Sequence, residues 1–416
     1  MNNLKLGIFG LRRGLDYLEA AQMNGFEVTA VCDADASCLA AAKQRLPNAA
    51  VYTDPEDLLR HPMDAVFLAN FFHEHAPWAV RFLEQGVHVL SECASNATMA
   101  QGVQLVRADE KSGAVYMLAE NYPFMLFNRE MKRVYEGGTL GRALYAEGEY
   151  NHPFDLFDAG NVRALRSYTS HWRNWLPRSY YITHSLAPLM YATGAVPRQV
   201  SALPVFAPDP PEAPVSNRCG DKAAVITTLN DDGSVFKVTG CAAFGAHGNS
   251  YRLCCENGQI ENLRGMGDKV MLRYNGWQIP EGMEEVNFYL PAPDDMDPAV
   301  LAKFGHGGGD YFVMRYFYNA VAHGAPVPFD VYFATTMASV AILAHRSILE
   351  GGRPIPVPDF RREADRAQYE ADTRSPFPAG PQDRPDLPCC SDPAYAPSAQ
   401  QLEKYRAIVG DAMFRK

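Results

Sequence analysis

The stretch LKLGIFGLRRGLDYLEA, residues 4–20, decides the fold of this 416-residue chain. Its first part, Leu4–Phe9, is a short apolar run typical of a buried strand, and a turn with glycines separates it from the helical stretch Asp16–Asn24. Such a turn can bind phosphate groups, because glycine lets the backbone approach the ligand and the first amide groups of a helix attract negative charge. The stretch therefore predicts a dinucleotide-binding unit.

The spacing of the glycines departs from the usual pattern of such a turn. Gly7, Gly10 and Gly14 follow G-x-x-G-x-x-x-G, whereas the common dinucleotide turn is G-x-G-x-x-G. One residue is missing and the middle glycine is lost, so an ordinary glycine turn is the alternative interpretation. The turn residues that we predict to contact the dinucleotide are Gly10, Leu11, Arg12 and Arg13.

An acidic residue supports the dinucleotide interpretation. Asp33 follows the second strand candidate, Phe26–Cys32, about twenty residues beyond the turn. A carboxylate there accepts hydrogen bonds from the ribose hydroxyls and repels a 2′-phosphate, which favours NAD over NADP, although the two arginines of the turn weaken that preference. Two alternatives stay open, since Asp33 could simply cap the helical stretch Ala36–Leu46, and Asp35 could be the ribose-binding acid.

Strand and helix candidates alternate over the first 122 residues. The further strand candidates are Ala65–Ala69, His88–Ser91 and Val115–Leu118, and the further helix candidates are Pro77–Gln85 and Met99–Ser112. Short apolar strands that alternate with helices predict right-handed βαβ units and a parallel sheet. Residues 1–122 are therefore predicted to form a Rossmann domain.

The pattern changes after residue 123, where strand candidates follow one another with few helices between them. These strand candidates are Ala143–Tyr150, Ala223–Leu229, Val235–Cys241, Tyr251–Glu256 and Val270–Tyr274, and the helix candidates are Phe127–Glu136, Asp310–Ala322 and Val331–Glu350. The fold class predicted is α/β, with an α+β domain over residues 123–360 that contains a large, open and mainly antiparallel sheet.

The last part of the chain is rich in Pro, Asp and Arg between Pro354 and Pro397. We predict that residues 361–416 form an extension that wraps over the surface and ends in one helix, Gln400–Phe414. The sequence leaves open whether this extension covers a neighbouring subunit or closes a cleft.

Composition excludes several classes of protein. The formal net charge of −10 argues against a nucleic-acid partner. The chain has no apolar run of roughly 18 residues and no leader typical of secretion, so we expect neither a membrane span nor a signal peptide. The nine cysteines are scattered and form no C-x-x-C pair, so we expect no disulfide framework, no metal site and a location in the cytoplasm.

A resemblance to a known family covers about residues 4–350 and is strongest from Phe67 onward. Asn70-Phe71-Phe72-His73-Glu74-His75, Gly86-Val87-His88-Val89, Glu92, Glu120-Asn121 and Gly141 stand in the order in which the Gfo/Idh/MocA oxidoreductases carry similar motifs. The resemblance implies a nicotinamide cofactor and association into homodimers or homotetramers through the open sheet. The residues that it adds to the predicted cofactor contacts are Asn70, His75, Glu92 and Glu120.

Two departures from that family narrow the resemblance. The lysine of its E-K-P motif is replaced by Cys93, and an acid that commonly lies four residues before the catalytic histidine is replaced by Tyr180, while His184 is kept. The branch of NAD-using glycosidases, typified by bacterial α-N-acetylgalactosaminidase, also lacks the lysine. The stretches similar to that branch are residues 118–122, 147–152, 171–175, 181–184, 305–311 and 329–332.

The resemblance implies roles for particular side chains. A sugar hydroxyl is a poor acid, so oxidation of its carbon needs a base, and a histidine such as His184 can act near neutral pH because its reference pKa is about 6.5. In the glycosidase branch the hydroxyl on carbon 3 is oxidised, a base matched here by Tyr150 removes the proton of carbon 2, the aglycone is eliminated and water adds. The predicted substrate contacts are Cys93, His152, Arg173, Arg178 and Tyr181.

Three hypotheses follow for the function. The leading one is an NAD-dependent enzyme that acts on a sugar or glycoside, with redox-neutral cleavage of the glycosidic bond favoured. The second is a simple NAD-dependent sugar or polyol dehydrogenase, in which His184 suffices as the base. The third is a catalytically silent NAD-binding sensor, which the loss of the lysine and the acid keeps open.

Overall fold

Six parallel strands form the N-terminal sheet of the computed structural model, which describes residues 3–165, 168–292, 296–380 and 383–415. The strands are β1 (Leu4–Phe9), β2 (Phe26–Cys32), β3 (Ala50–Tyr52), β4 (Ala65–Leu68), β5 (His88–Ser91) and β6 (Tyr116–Leu118). Their order, β3-β2-β1-β4-β5-β6, is that of two mononucleotide-binding halves side by side. The predicted Rossmann domain is confirmed.

Short helices connect these strands. They are α1 (Leu11–Gly14), a 3₁₀ turn (Leu15–Tyr17), α2 (Leu18–Met23), α3 (Ala36–Arg45), α4 (Pro55–Leu59), α5 (His75–Glu84) and α6 (Met99–Ser112). Helical structure begins at Leu11, five residues before the predicted start, because Gly10 adopts a φ of 90° and turns the chain at once. The prediction missed β3, which has only three residues, and α4, although Asp54 and Pro55 give a helix-start signal there.

Nine strands form the second sheet, in the order β14-β13-β12-β11-β7-β10-β9-β8-β15. The strands are β7 (Ala143–Asn151), β8 (Pro197–Phe206), β9 (Asp221–Asn230), β10 (Val235–Ala242), β11 (Gly248–Cys255), β12 (Gly258–Asn262), β13 (Val270–Tyr274), β14 (Val286–Tyr289) and β15 (Ile355–Pro356). Neighbouring strands are antiparallel except β7 and β10, which are parallel. The predicted open, mainly antiparallel sheet is confirmed.

Strand β8 escaped the prediction because it contains two prolines, and a proline usually argues against a central strand. The structure explains how it is tolerated. On one side β8 pairs with β9 along its length, and on the other β15 pairs only with Gln199 and Val200. Pro204 therefore lies where the sheet edge is open, and its missing N–H group costs no ladder hydrogen bond there.

Helices cover the inner face of this sheet. The remaining helices are α7 (Leu126–Glu136), α8 (Ala159–Leu165), α9 (Thr183–Thr193), α10 (Pro298–Leu301), α11 (Gly309–His323), α12 (Val331–Leu349), α13 (Glu363–Tyr369), α14 (Ala399–Val409) and α15 (Asp411–Phe414). Helix α9 touches β7 so closely that a Cβ atom at Gly148 would lie 2.0 Å from the carbonyl oxygen of Ser185. Only glycine fits at this contact, which fixes where α9 lies on the sheet.

The opposite face of the sheet is open. At its centre Glu147 of β7 pairs with Lys237 and Arg252 of the neighbouring strands, at 3.2 and 2.8 Å. Leu203 and Phe288 are exposed on outer strands, at 60% and 63%. Association through this face into a homodimer or homotetramer stays a prediction. Within the described residues, the helices are too short or too polar to cross a bilayer.

The C-terminal extension wraps over both sheets. Asp372 of the extension forms an ion pair with Arg346 of α12 at 2.5 Å. Its carbonyl accepts a hydrogen bond of 3.0 Å from the backbone amide of Ala100 in α6. Its predicted last helix, Gln400–Phe414, is wrong as a single element, because Gly410 at a φ of 84° divides it into α14 and α15. The predicted limits of the three regions stay predictions.

Candidate functional site

The glycine turn lies at the carboxyl ends of β1 and β4, where the strand order reverses and where ligands bind in this class of sheet. A Cβ atom at Gly10 would lie 2.2 Å from the carbonyl oxygen of Ala69, and one at Gly14 would lie 2.4 Å from Cγ2 of Ile8. Gly10 thus allows the two strand ends to meet, and Gly14 allows the helix to pack on β1. The turn fits a dinucleotide in spite of its altered spacing.

Asp33 is bound to that turn. Its Oδ2 atom accepts a hydrogen bond of 2.7 Å from the amide of Leu11, and its Oδ1 atom accepts one of 2.8 Å from the amide of Asp35. Asp35 instead caps α3, where it accepts from the amide of Ser37 at 2.8 Å. The structure therefore separates the two rival acids, since Asp35 is the helix cap and Asp33 stands at the turn. Contact of Asp33 and Leu11 with the ribose and pyrophosphate stays a prediction.

The two arginines of the turn point in different directions. Arg12 is exposed and lies 3.6 Å from Asp35. Arg13 turns inward, where its guanidinium pairs with Glu92 and with Asp310, each at 2.9 Å. Arg13 and Glu92, which were both predicted to contact the cofactor, are thus bound to each other at the end of β5.

Asp310 joins the C-terminal domain to the turn. It is almost completely buried, and Oδ1 also accepts hydrogen bonds from Asn121 at 2.6 Å and from His306 at 3.1 Å. Burial would raise the pKa of Asp310, but the hydrogen bond from His306 and the charge of Arg13 hold this pKa well below its ordinary value. The sequence indicated only a loop and a helix start here, because the partner in the turn lies 297 residues away.

We expect Asp310→Ala to destabilise the folded protein by about 3 kcal/mol, because it removes one member of a buried charged cluster. Thermal or denaturant unfolding measures this difference. Asp16→Ala is the matched control, since Asp16 also pairs with Arg13, at 3.3 Å, but is 59% exposed. The control should lose less than about 1 kcal/mol. Equal losses in the two variants would contradict the assignment of the cluster as a structural bond between the domains.

The original protein and the Asp310→Ala variant should also differ in how their stability responds to acid. The pKa of Asp310 is lower in the folded protein than in the unfolded chain, where it is about 3.9, so its ionised form stabilises the fold above that pH. The contribution is lost as the pH falls toward the depressed value. The difference in melting temperature between the original protein and Asp310→Ala should therefore narrow below about pH 4. A difference that stays constant with pH would show that the charge of Asp310 is not what stabilises the contact.

The loop after β4 holds Asn70 and His75 beside the turn. The ring of His75 is buried, and its two nitrogens lie 2.9 Å from the carbonyl oxygen of Ala94 and 3.2 Å from that of Asn70. His75 thus connects two loops, and the cofactor contact predicted for it stays a prediction. Asn70 is half-buried in the same loop, and its predicted contact with the cofactor stays a prediction.

His184 and Glu120 form the central pair of the site. His184 lies in the first turn of α9, and Glu120 lies two residues beyond β6, so the two sheets bring them together. Nδ1 of His184 is 2.8 Å from Oε1 of Glu120, which is completely buried. Burial would raise the pKa of Glu120, but His184 and further hydrogen bonds hold this pKa below its ordinary value. An ionised carboxylate therefore orients the imidazole through Nδ1. Nε2 is then the ring nitrogen that can face a substrate.

Cys93 donates a hydrogen bond of 3.1 Å to Oε2 of the same carboxylate. Burial, together with the charges of Glu120 and Glu92, raises the pKa of the Cys93 thiol well above its ordinary value, so the thiol keeps its proton. The sulfur of Cys93 faces Glu120, and its predicted contact with a substrate stays a prediction. Both oxygens of Glu120 accept from protein groups, and its predicted contact with the cofactor stays a prediction.

Tyr122 and Tyr150 enclose the imidazole. The ring of Tyr122 stacks on that of His184 with centroids 4.0 Å apart, and the ring of Tyr150 meets it edge-on at 5.1 Å. Burial, reinforced by Tyr181 and Tyr122, raises the pKa of Tyr150 above its ordinary value. Tyr150 is therefore a neutral phenol near pH 7. The sequence analysis missed Tyr122, although it follows directly on the quoted Glu120-Asn121.

Four predicted substrate residues line one cavity of about 130 Å³ beside this cluster. They are His152, Arg173, Arg178 and Tyr181. The sequence analysis missed Asn217 and Cys241 of the same lining, which no motif marks. Tyr180, which stands where the family has an acid, is 1% exposed and packs in the core, 5.8 Å from Phe377 between ring centroids. Its position therefore supplies no second acid to the cavity.

A larger groove of about 500 Å³ lies elsewhere, near the C-terminal end of α9 and the start of α12. Its described lining includes Lys132, Tyr191, Tyr316 and Arg361, and it includes none of the predicted site residues. The smaller cavity is therefore the one that the sequence predictions converge on.

Two separate parts of the chain match known protein families. Residues 4–120 match the oxidoreductase family with an NAD-binding Rossmann fold, and residues 298–366 match the C-terminal domain of glycosyl hydrolase 109. A glycosyl hydrolase family 109 protein of Porphyromonas gingivalis is 23% identical over 410 residues, which cover 87% of this chain and 85% of that protein. A family 109 protein of Shewanella pealeana is 24% identical over 403 residues, which cover 88% and 87% of the two chains.

A solved structure of levoglucosan dehydrogenase with NADH and L-sorbose has a TM-score of 0.72 and 18% identity, and it covers 86% of this chain and 100% of its own. This likeness agrees with the two-domain fold. Residues 4–120 thus resemble the NAD-binding domain of the oxidoreductase family, and over most of its length the chain resembles the glycosyl hydrolase family 109 proteins.

Proposed function

We propose that this chain is an NAD-dependent enzyme that acts on a glycoside and cleaves its glycosidic bond without net oxidation. The observation that carries the proposal is the His184–Glu120 pair, which lies against Tyr150 at the edge of a cavity lined by polar side chains. The relatives named for glycosyl hydrolase 109 and the sugar-binding dehydrogenase neighbour support a sugar as the substrate.

The residues around Gly10 and Asp33 would hold NAD at the glycine turn. There it would reversibly accept a hydride from one ring carbon of the sugar. The protein must then remove the proton of the hydroxyl on that carbon. His184 is suited to this task, because the ionised Glu120 accepts from Nδ1–H and leaves Nε2 with a free electron pair. The negative charge of Glu120 also stabilises the imidazolium that forms when the proton arrives.

Tyr150 is the group that we assign to the proton on the neighbouring carbon. Oxidation of the first carbon makes that proton acidic, and its loss drives out the aglycone from the carbon beyond, which leaves with a proton. Water would then add at the carbon that lost the aglycone, and return of the hydride and the proton would restore the hydroxyl, so that no net oxidation remains. The raised pKa means that only a small fraction of Tyr150 is ionised near neutral pH in the described protein. The base must therefore gain strength from a positive charge nearby, and the imidazolium that His184 becomes when it takes the hydroxyl proton lies against the ring of Tyr150.

The cavity residues favour a substrate with several hydroxyl groups. Arg178 donates through Nε to the carbonyl of Asp221 at 3.0 Å, which fixes its stem, and the guanidinium of Arg173 stacks over Trp172 at 4.4 Å. Fixed guanidinium groups bind hydroxyl and carboxylate oxygens with little loss of side-chain freedom. The two arginines and His152 are thus proposed to hold the sugar while His184 and Tyr150 act on it.

The second candidate is a simple sugar dehydrogenase. It is favoured by the fact that His184 and Glu120 alone suffice for removal of a hydroxyl proton, so the chemistry could stop after the first oxidation. In that case the substrate would be released as a ketone, and each turnover would leave one reduced cofactor.

One experiment separates the two candidates. A panel of nitrophenyl α- and β-glycosides is incubated with the protein, with and without added NAD⁺, while aglycone release and NADH absorbance are followed together. Release of aglycone without net NADH is the result expected for redox-neutral cleavage. Accumulation of NADH without cleavage would instead establish the dehydrogenase, and silence in both channels across the panel would contradict the proposed substrate class.

Replacement of Glu120 tests the pairing with His184. We expect Glu120→Gln to lower kcat by about tenfold to 100-fold with little change in KM, because the amide keeps the shape but not the charge that stabilises the imidazolium. Cys93→Ala is the matched control, since it removes the hydrogen bond at the other oxygen of the same carboxylate. A control that falls as far as Glu120→Gln would show that packing around Glu120, and not its charge, is what the activity needs.

A further inference from the structure

Two cysteines from distant parts of the chain meet outside the proposed active site. Cys219 lies two residues before β9, and Cys390 lies in the C-terminal extension. Their sulfur atoms and a carboxylate oxygen of Asp221 all lie within 4.8 Å of one another, and all three residues are buried. Sγ of Cys219 is 3.9 Å from Oδ2 of Asp221.

This spacing is close to what a tetrahedral ligand set needs. In a zinc site the metal–sulfur distance is about 2.3 Å and the metal–oxygen distance about 2.0–2.2 Å, so neighbouring ligand atoms lie roughly 3.5–3.8 Å apart. Small movements of buried side chains therefore suffice to place one cation between the two sulfurs and the carboxylate.

The surroundings of the three side chains are those of a prepared metal site. The backbone amide of Gly220 donates to Sγ of Cys390 at 3.2 Å, as amides commonly do to the thiolates that bind metals. Ser391 donates to Asp221 through its amide, at 2.8 Å, and through its hydroxyl. These bonds orient two of the three ligands from outside the set, which is how metal sites fix the geometry of their ligands.

We propose that Cys219, Asp221 and Cys390 bind one soft divalent cation of the zinc class, with water in the fourth position. Zinc binds to thiolates readily, whereas magnesium and calcium prefer sites made of oxygen ligands alone. The sequence analysis expected no metal site, because it sought cysteines close together in the sequence, whereas these come together only through the fold.

The position of the site gives the cation a structural role. The carbonyl of Asp221 accepts from Arg178, and Asn217 exchanges two hydrogen bonds with the backbone of Cys219, at 2.7 and 3.1 Å. Arg178 and Asn217 both line the proposed substrate cavity. The cation thus fastens the C-terminal extension to the strand that carries this wall of the cavity, without touching the reacting groups.

Metal analysis of the full-length protein tests the proposal. The protein is purified without a metal-binding tag, exposed to Zn²⁺ and dialysed. We expect about one zinc ion per chain, since structural sites hold zinc tightly through dialysis. The Cys219→Ser/Cys390→Ser double variant should retain less than a tenth of that zinc. The control is Cys254→Ser/Cys255→Ser, which changes the adjacent pair in β11 and should leave the zinc content unchanged.

A spectroscopic readout keeps the test decisive if the double variant does not fold. Addition of Co²⁺ to the metal-free original protein should produce the near-ultraviolet absorption of a thiolate–cobalt bond, and Zn²⁺ should abolish it. Absence of that absorption, together with zinc no higher than in a cysteine-free blank protein, would overturn the proposal. Mass spectrometry under non-reducing conditions that finds Cys219 and Cys390 joined as a disulfide in the freshly purified protein would also overturn it.

Discussion

The His184→Ala variant should lose turnover by about 10²–10⁴-fold, the range that a positioned general base supplies. Its imidazole pairs with the buried carboxylate of Glu120, stacks on Tyr122 and lies beside the cavity. Alanine removes the base and leaves Glu120 without its partner, while the glycine turn on the other sheet is untouched. Binding of NAD should therefore stay within a few-fold of the original.

Steady-state assays measure the first expectation, and titration of NAD by fluorescence or calorimetry measures the second. His323→Ala is the matched control, because His323 is exposed at the C-terminal end of α11 and far from the pair. An active His184→Ala variant would end the assignment of His184 as the base. A variant that is inactive because it no longer binds NAD would place the fault in folding, so both readouts are needed.

Tyr150→Phe should separate the two halves of the proposed reaction. The change removes one hydroxyl and keeps the ring that packs edge-on against His184. We expect aglycone release to fall by about 10²–10⁴-fold, because the base for the carbon-bound proton is lost. Absorbance of the reduced cofactor after a single mixing with substrate should persist, since that step relies on His184.

The dependence on pH gives an independent check. Because burial raises the pKa of Tyr150, the ionised fraction grows with pH, and aglycone release by the original protein should increase into the alkaline range. Tyr191→Phe, in which a half-buried tyrosine away from the cavity loses its hydroxyl, is the control and should keep this increase. If Tyr150→Phe releases aglycone at the original rate, the proton must be taken by a different group, and the Tyr150 assignment is wrong.

The Rossmann domain could be predicted because its signals are local. A six-residue apolar strand, a turn with Gly10 and an acid after the second strand lie within thirty residues of one another, and parallel βαβ units leave few alternative topologies. The predicted limits of β1, β2, β5 and α6 coincide with those in the structure.

The contacts between distant segments could not be predicted in this way. Asp310 reaches Arg13, and Glu120 reaches His184, only because the second sheet packs on the first. Glu120 and His184 were each chosen from a local motif, yet nothing in the motifs says that they bind each other. The same reason hid the Cys219–Cys390 cluster, whose members stand at ordinary positions in unremarkable stretches of sequence.

The contact between Gly148 and the backbone of Ser185 also bears on how this chain should be compared with distant relatives. His184 and Tyr150 are neighbours because α9 lies directly on β7, and any larger residue in place of Gly148 would push the helix away. A distant homologue with a bulky residue at that point of its strand cannot keep the two groups at this separation, whatever other motifs it shares. The separation of His184 and Tyr150 therefore depends on a residue that has no side chain and takes no part in the proposed reaction.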